Sequence, residues 1–358
     1  GSHCNLDCGS SLLHAFSLTE DIITNCSTTC NVECSSLVVR LEAIGVVVYA
    51  ISVTLTFALG STLYSVTDAA CYETLGPDHG HLFGQQRLWG TLGWGITSPL
   101  VGYLLDSVPD STVKKFLPAV IGFTILIAGD MVLLLCSPQF TTPTTSDHFF
   151  RDLRETYNDI RVIVFTLWSF VGGILIGVVW TYSVWLLEEL KASKTFIGLT
   201  FSMQSIVIEI PMFFVSGHFV KWLGHFGCMT AAFACLAVKL LGYSILQNPY
   251  YVLLVDVFGG AIFPFFYASL TGFANRSAVA GTAGTMQCLF GAIFEGAGVA
   301  LGNFLCGIFI DTYSIRIAFR IMGFAALVCT PLCGLSGFQG RNKDEPYSST
   351  LDVTRYPC

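Results

Sequence analysis

Apolar residues in this chain run in blocks of about 20, a length that spans a bilayer's hydrocarbon core when wound as a helix. They neither alternate as in strands nor stripe a single helix face. The blocks lie near 43–67, 87–106, 116–137, 160–187, 197–220, 227–246, 250–273, 283–310 and 315–338, predicting nine membrane helices and an all-α polytopic protein. Connections are short except over 1–36, 138–159 and 339–358. The expected organisation is a Cys-rich loop at 1–36, three helices over 37–137, and an inter-bundle linker at 138–159. A six-helix bundle over 160–338 and a tail at 339–358 complete it. The linker is marked by Thr141-Thr142-Pro143-Thr144-Thr145, followed by Asp147, Arg151, Asp152, Arg154 and Glu155, a composition that breaks helices and stays in water.

A spaced repeat ties the two groups of helices together. The second block ends Gly93-x8-Gly102-Tyr-Leu-Leu-Asp106, and the eighth ends Gly298-x8-Gly307-Ile-Phe-Ile-Asp311. Matching spacings in distant apolar helices suggest a duplicated bundle, a common transporter construction. If both are the fifth helix of a six-helix unit, three helices are expected before residue 1. The nine helices are then part of an expected twelve, and this chain alone is expected not to transport.

Composition agrees with a membrane setting. Charged residues make up 11% and apolar residues 53%, with mean hydropathy +0.67, where soluble domains carry about a quarter charged residues. No basic patch with interleaved aromatics occurs, so nucleic acid is not an expected partner. No nucleophile–base pair or metal-ligand constellation stands out, so neither an enzyme nor a cofactor is expected.

Orientation follows from basic residues. Nine of them fall on the side of the tail and seven on the other, favouring a cytoplasmic C-terminus in the plasma membrane. Cys4, Cys8, Cys26, Cys30 and Cys34 crowd the opening loop, as disulfides do in an oxidising compartment. Asn25-Cys26-Ser27 is a glycosylation sequon in the same loop. A zinc site on the C-x3-C-x3-C run of 26–34, with His3 and His14 as further ligands, is the alternative, and its spacing is loose. The remaining cysteines sit in apolar blocks as small packing residues.

Charges inside the spans carry the functional signal, because each is costly there unless paired or hydrated. Asp68, Glu73, Asp130, Glu209, Lys239, Asp256 and Glu295 qualify. Lys239 and Asp256 flank the turn Gln247-Asn248-Pro249 at nearly equal separations, which places both about 11 Å below the same surface. Their role is either a structural ion pair or coupling and gating. Glu209-Ile210-Pro211 puts a carboxylate beside a proline kink, and Glu295 stands among glycines that admit a close neighbour. Trp180, Tyr182 and Trp185 are candidate cavity aromatics.

Several of these residues resemble a family. Arg87-x-Trp-Gly-x-x-Gly93-Trp94, preceded by the acidic helix end Thr67-Asp68-Ala69-Ala70-Cys71-Tyr72-Glu73, resembles the fifth-helix motif of the lactose-permease-like branch of the major facilitator superfamily. Glu209-Ile-Pro211, Ser216-Gly217, Asn248-Pro249 and Arg316-x3-Arg320-x2-Gly323 look most like the animal group of major facilitator superfamily domain-containing protein six. The resemblance covers the chain from about residue 40 and implies the major facilitator fold, with two six-helix bundles and alternating access. It implies that Arg87 holds a polar group of the solute with an acid near Asp68, and that Trp94 stacks on it. Lys239 falls where the permease has an arginine beside its proton site. The permease's proton-linked histidine and glutamate fall on Gly259 and Ile262, so coupling through H+ or Na+ would pass to Glu209, Asp256 or Glu295. The expected function is a secondary active transporter of a small polar solute, with Trp180 a further solute contact. A receptor that binds an extracellular protein ligand through residues 1–36 is the competing class.

Overall fold

The computed structural model describes residues 83–108, 116–136, 156–278 and 283–341, with isolated helical positions between 44 and 75 and at 151 and 154. The five loop cysteines, Asn25, Asp68 and Glu73 lie outside these residues. The chain divides into two compact units, Gly1–Leu59 and Gly60–Cys358. The described positions of the first are helical, and everything below concerns the second.

Every described regular element is a helix. In chain order they are α1 (Phe83–Asp106), α2 (Leu117–Cys136), α3 (Ile160–Glu189) and α4 (Lys194–Ser202), a π-helical segment Met203–Glu209, and α5 (Ile210–Ile245). After the short 3-10 turn Pro249–Tyr251 come α6 (Val252–Ser277), α7 (Ala283–Gly291), a second π-helical segment Ala292–Gly298, α8 (Val299–Thr312) and α9 (Ile315–Arg341). Polar side chains start these helices by accepting otherwise unpaired amides. Asp159 accepts from Arg161 N at 2.9 Å, Ser193 from Phe196 N at 3.1 Å, and Asn248 from Tyr250 N at 3.0 Å.

Five helical stretches among the described residues are long and apolar enough to cross a membrane, including Lys194–Ile245 with 52 residues. At 1.5 Å per residue that stretch covers about 78 Å, enough for two crossings of a roughly 30 Å core. Its break is Gly224, with φ 73° and ψ 174°, a conformation that glycine adopts without a Cβ clash. The sequence places a loop between 220 and 227. The structure instead runs helix up to and away from one glycine, because a single left-handed residue is enough to turn the chain.

The inside of the unit is aromatic and close-packed. Phe165 stacks on Phe273 at 3.9 Å between ring centroids and meets Phe226 and Phe290 edge-on. α3 lies directly on the second π segment: a Cβ added at Gly173 would come 2.3 Å from Phe294 O and 3.0 Å from Gly298 Cα. Small residues permit this approach of backbones, as they do between membrane helices generally. Leu135, Ile245, Leu254 and Phe304 are exposed while Glu209, Lys239 and Asp256 are buried. That inversion suits a lipid solvent and a polar interior.

Candidate functional site

The site begins on α1, where Arg87 and Thr91 stand one turn apart and therefore share a face. The Arg87 guanidinium lies over the ring of Tyr267 on α6, 4.1 Å from its centroid, and 5.7 Å from that of Phe263. Thr91 Oγ1 donates to Glu209 Oε1 at 3.2 Å, and Tyr267 OH donates to Glu295 Oε1 at 3.3 Å. One turn of α1 is thus linked to two carboxylates that lie 86 positions apart in the chain.

Both carboxylates ride on widened helical turns. Ile210 N–H reaches back five residues to Ser205 O, closing the first π segment at Glu209. Pro211 supplies a reason: its ring would clash with the carbonyl four residues earlier, Val207, in a regular α-helix, and a wider turn relieves that contact. The sequence predicts a kink with freed carbonyls here, and the structure absorbs the proline as a π turn instead. The second π segment, closed by Val299 N–H to Phe294 O, contains Glu295 and no proline. Such insertions concentrate at functional sites.

Glu209 is 8% exposed. Among the described residues only Thr91 donates to it, and Arg87 and Lys239 both act on it electrostatically. Lys239 belongs to a second group. Its Nζ lies 3.0 Å from Asp256 Oδ1 and donates to Gln204 Oε1 at 2.7 Å, while Tyr243 OH donates to the same Asp256 oxygen at 2.9 Å. The equal depths read from the turn at 247–249 therefore do end in contact. Gly259 leaves room for this group, since a Cβ there would lie 2.5 Å from Lys239 Nζ and 2.8 Å from Gln204 Oε1.

The two tryptophans have different settings. Trp94 is 57% exposed and meets Phe201 edge-on at 6.0 Å. Trp180 joins the aromatic wall, 6.3 Å from Phe263 and 6.1 Å from Phe294. Tyr182 is structural, donating from its hydroxyl to Asn303 O at 2.8 Å, and Asp130 is exposed on α2. Sequence reasoning missed Thr91, Gln204, Tyr243, Phe263 and Tyr267. Thr91 had a signal, its i+4 spacing from Arg87; for Tyr267 the sequence held only an aromatic in an apolar helix.

A third arrangement joins α1 to α4 at the far end of α1. Asp106 accepts from Lys194 N at 3.1 Å, Thr195 N at 2.7 Å and Thr195 Oγ1 at 2.6 Å. A carboxylate at a helix N-terminus meets unpaired amides and the positive end of the dipole. Nearby, Gly102 and Gly198 bring the backbones together: Cβ atoms there would fall 2.3 Å from Lys194 O and 2.4 Å from Ser98 O. The repeat partner of Gly102 does something else, because a Cβ added at Gly307 would meet the Tyr182 hydroxyl at 3.1 Å. Shared spacing in the repeat does not mean shared contacts.

Comparison with known proteins gives the family. A 269-residue stretch is 20% identical to major facilitator superfamily domain-containing protein 6-like protein B of Xenopus laevis, covering 73% of this chain and 44% of that protein. The chain therefore spans less than half the length of that relative. The family model described as MFS_1 like family matches residues 11–321. Helices able to cross a membrane, buried charges within them and a family match over most of the sequence converge: the chain belongs to the MFS_1 like family, as an integral multi-pass membrane protein of the major facilitator type.

Proposed function

We propose that this protein is a secondary active transporter that moves a small polar solute by alternating access. The observation that carries this reading is the linkage of the Arg87–Thr91 turn, through Thr91 and Tyr267, to Glu209 and Glu295, which lie in helices long and apolar enough to cross a membrane. Ionisable groups at such depth are costly unless they serve a solute, an ion or each other. In this reading Arg87 holds a polar group of the solute, with Asp68 as its acidic partner. Trp94 and Trp180 offer ring faces to the apolar part. Glu209 and Glu295 are placed to exchange a proton or Na+, and the Lys239–Asp256 pair biases one conformation. The α1–α4 contact is the closed end of the path, and its separation opens that end.

Uptake by cells expressing the full-length protein, screened over small polar solutes, tests this. Solute uptake that exceeds control cells and is abolished by Arg87→Ala and by Trp94→Ala is the expected result. A protein that reaches the surface, binds ligand through residues 1–36 alone and passes no solute overturns the transport reading.

A further inference from the structure

The π-helical segment Met203–Glu209 is clasped by two helices. On α1, a Cβ added at Gly95 would come 2.8 Å from Ile206 Cγ1 and 3.4 Å from Ser205 Cβ. On α6, a Cβ at Gly260 would come 2.9 Å from Gln204 O and 2.6 Å from Ile208 Cβ. One glycine on each neighbour therefore admits the widened turn, as small residues do where membrane helices approach closely.

The two ends of the segment are tied to different partners. Near its start, Gln204 Oε1 accepts from Lys239 Nζ at 2.7 Å, and Lys239 is paired with Asp256 at 3.0 Å. At its end, Glu209 Oε1 accepts from Thr91 Oγ1 of α1 at 3.2 Å. Residues five apart in a regular α-helix point about 140° away from each other, whereas the i→i+5 bonding of a π turn brings them back towards one side. Lys239 accordingly touches Gln204 and acts electrostatically on Glu209. Pro211 opposes a return to α-helical register, because its ring would then meet the Val207 carbonyl. The turn is thus held in its widened form and moves as one piece. Met203 and Val207 are exposed, so lipid on their side leaves it room to shift.

Resting on the transporter reading, we infer that this π turn is a strap coupling the Lys239–Asp256 pair to α1, with Gln204 as the positioning residue for Glu209. While Lys239 holds Gln204, the strap keeps Glu209 against Thr91. When Lys239 releases Gln204, the strap shifts as a unit and Glu209 leaves Thr91. A change at the buried ion pair thereby reaches the helix that carries Arg87.

A cycle of Gln204→Leu and Thr91→Val tests this in the purified full-length protein, by unfolding in mixed micelles. The two side chains touch different helices, and neither substitution changes a charge. Coupling of about fivefold or more in the unfolding constant is expected, the lower end for linked sites. Gln204→Leu alone should speed hydrogen exchange at the amides of 204–210, and Gln204→Glu, which keeps an acceptor for Lys239, should retain the wild-type rate. Thr91→Val combined with Tyr182→Phe, which removes a hydrogen bond to Asn303 O between α3 and α8, should be additive within about twofold.

Additivity of Gln204→Leu with Thr91→Val overturns the inference, as does faster exchange in Gln204→Glu. Coupling without faster exchange in the π turn also overturns it and places the link in the field of Lys239 rather than in the backbone. Equal coupling with Tyr182→Phe reports general softening and overturns it too. If Gln204→Leu does not fold, Thr91→Val alone should speed exchange at the Gln204 end of the turn, and an unchanged rate there overturns the inference. Coupling as expected in a protein that carries no solute into cells keeps the strap and removes the transporter reading.

Discussion

Removing one member of the Lys239–Asp256 pair should cost far more than removing its charge partner as well. Lys239 and Asp256 are each at most 4% exposed, and Nζ lies 3.0 Å from Oδ1. Among the described residues, Lys239→Met leaves Asp256 with the Tyr243 hydroxyl, and Asp256→Asn leaves Lys239 with Gln204, a neutral amide and the electrostatic influence of Glu209. Breaking a buried pair from one side typically costs about 3–5 kcal/mol, because the survivor keeps its desolvation penalty without its counter-charge. In a unit of this size 3 kcal/mol corresponds to roughly 6–12 °C in melting temperature. The double variant removes both charges, and its loss should fall about 2 kcal/mol or more below the sum of the single losses. Equilibrium unfolding of the four proteins in mixed micelles gives the coupling directly. A double variant as destabilised as the two single ones together, within about 0.5 kcal/mol, refutes the claim that each charge is there for the other.

Other substitutions probe the neighbouring contacts. Gly259→Ala should destabilise by about 1–3 kcal/mol through overpacking against Lys239 and Gln204, and much of that loss should vanish in a Lys239→Met background; persistence of the full loss there would contradict the contact. Tyr267→Phe removes the donor to Glu295 but keeps the ring under Arg87, so about 1 kcal/mol is expected, with Tyr267→Ala costing about 2 kcal/mol more from the lost cation–ring contact and packing; equal losses in micelle unfolding would show that Arg87 gains nothing from the ring. Asp106→Ala should accelerate hydrogen exchange at the Lys194 and Thr195 amides, reflecting loss of a cap worth about 1–2 kcal/mol. Gly198→Leu should produce the same acceleration with Asp106 intact, since its side chain meets the Ser98 carbonyl; unchanged protection there would mean that the crossing is not held by the glycines.

What the sequence made legible follows from the range of each interaction. Span length and the low charge content are set by the solvent, a bilayer, and can be read without a fold. The approach of Lys239 and Asp256 could be argued because a short turn fixes the relative depth of two antiparallel helices. Glu209 and Glu295 were visible as costly residues, but their link to Arg87 was not. That link passes through Tyr267 and Thr91, and it depends on the rotation of four elements about their axes. A π turn shifts this rotation, and nothing in the residues around Glu295 announces one, whereas Pro211 at least marks where the first helix must deform. The Asp106 cap was hidden for a different reason. Asp106 appeared as the end of a repeat, and a repeat reports ancestry of the backbone rather than the partner each copy now touches.

One helix carries both the site and the contact proposed to close the path, and this makes their coupling testable. Arg87, Thr91 and Trp94 stand on the first half of α1, and Gly102 and Asp106 at its end. Thr91 and Asp106 are 15 residues apart, about 22 Å along a helix, beyond the roughly 7–10 Å at which substitutions usually influence each other directly. Releasing Asp106 from α4 frees the end of α1 to move away, and any resulting tilt changes the separation between Thr91 and Glu209. The two contacts should therefore lose strength together, whereas independent contacts would simply add. A cycle of Asp106→Ala and Thr91→Ala, followed by micelle unfolding and by hydrogen exchange at Lys194 and Thr195, measures that free energy of coupling. A coupling of about 0.5–2 kcal/mol is the range expected for residues linked through one moving element. Strict additivity would mean that the end of α1 opens without disturbing the carboxylates, and the site would then have to be closed by some other helix.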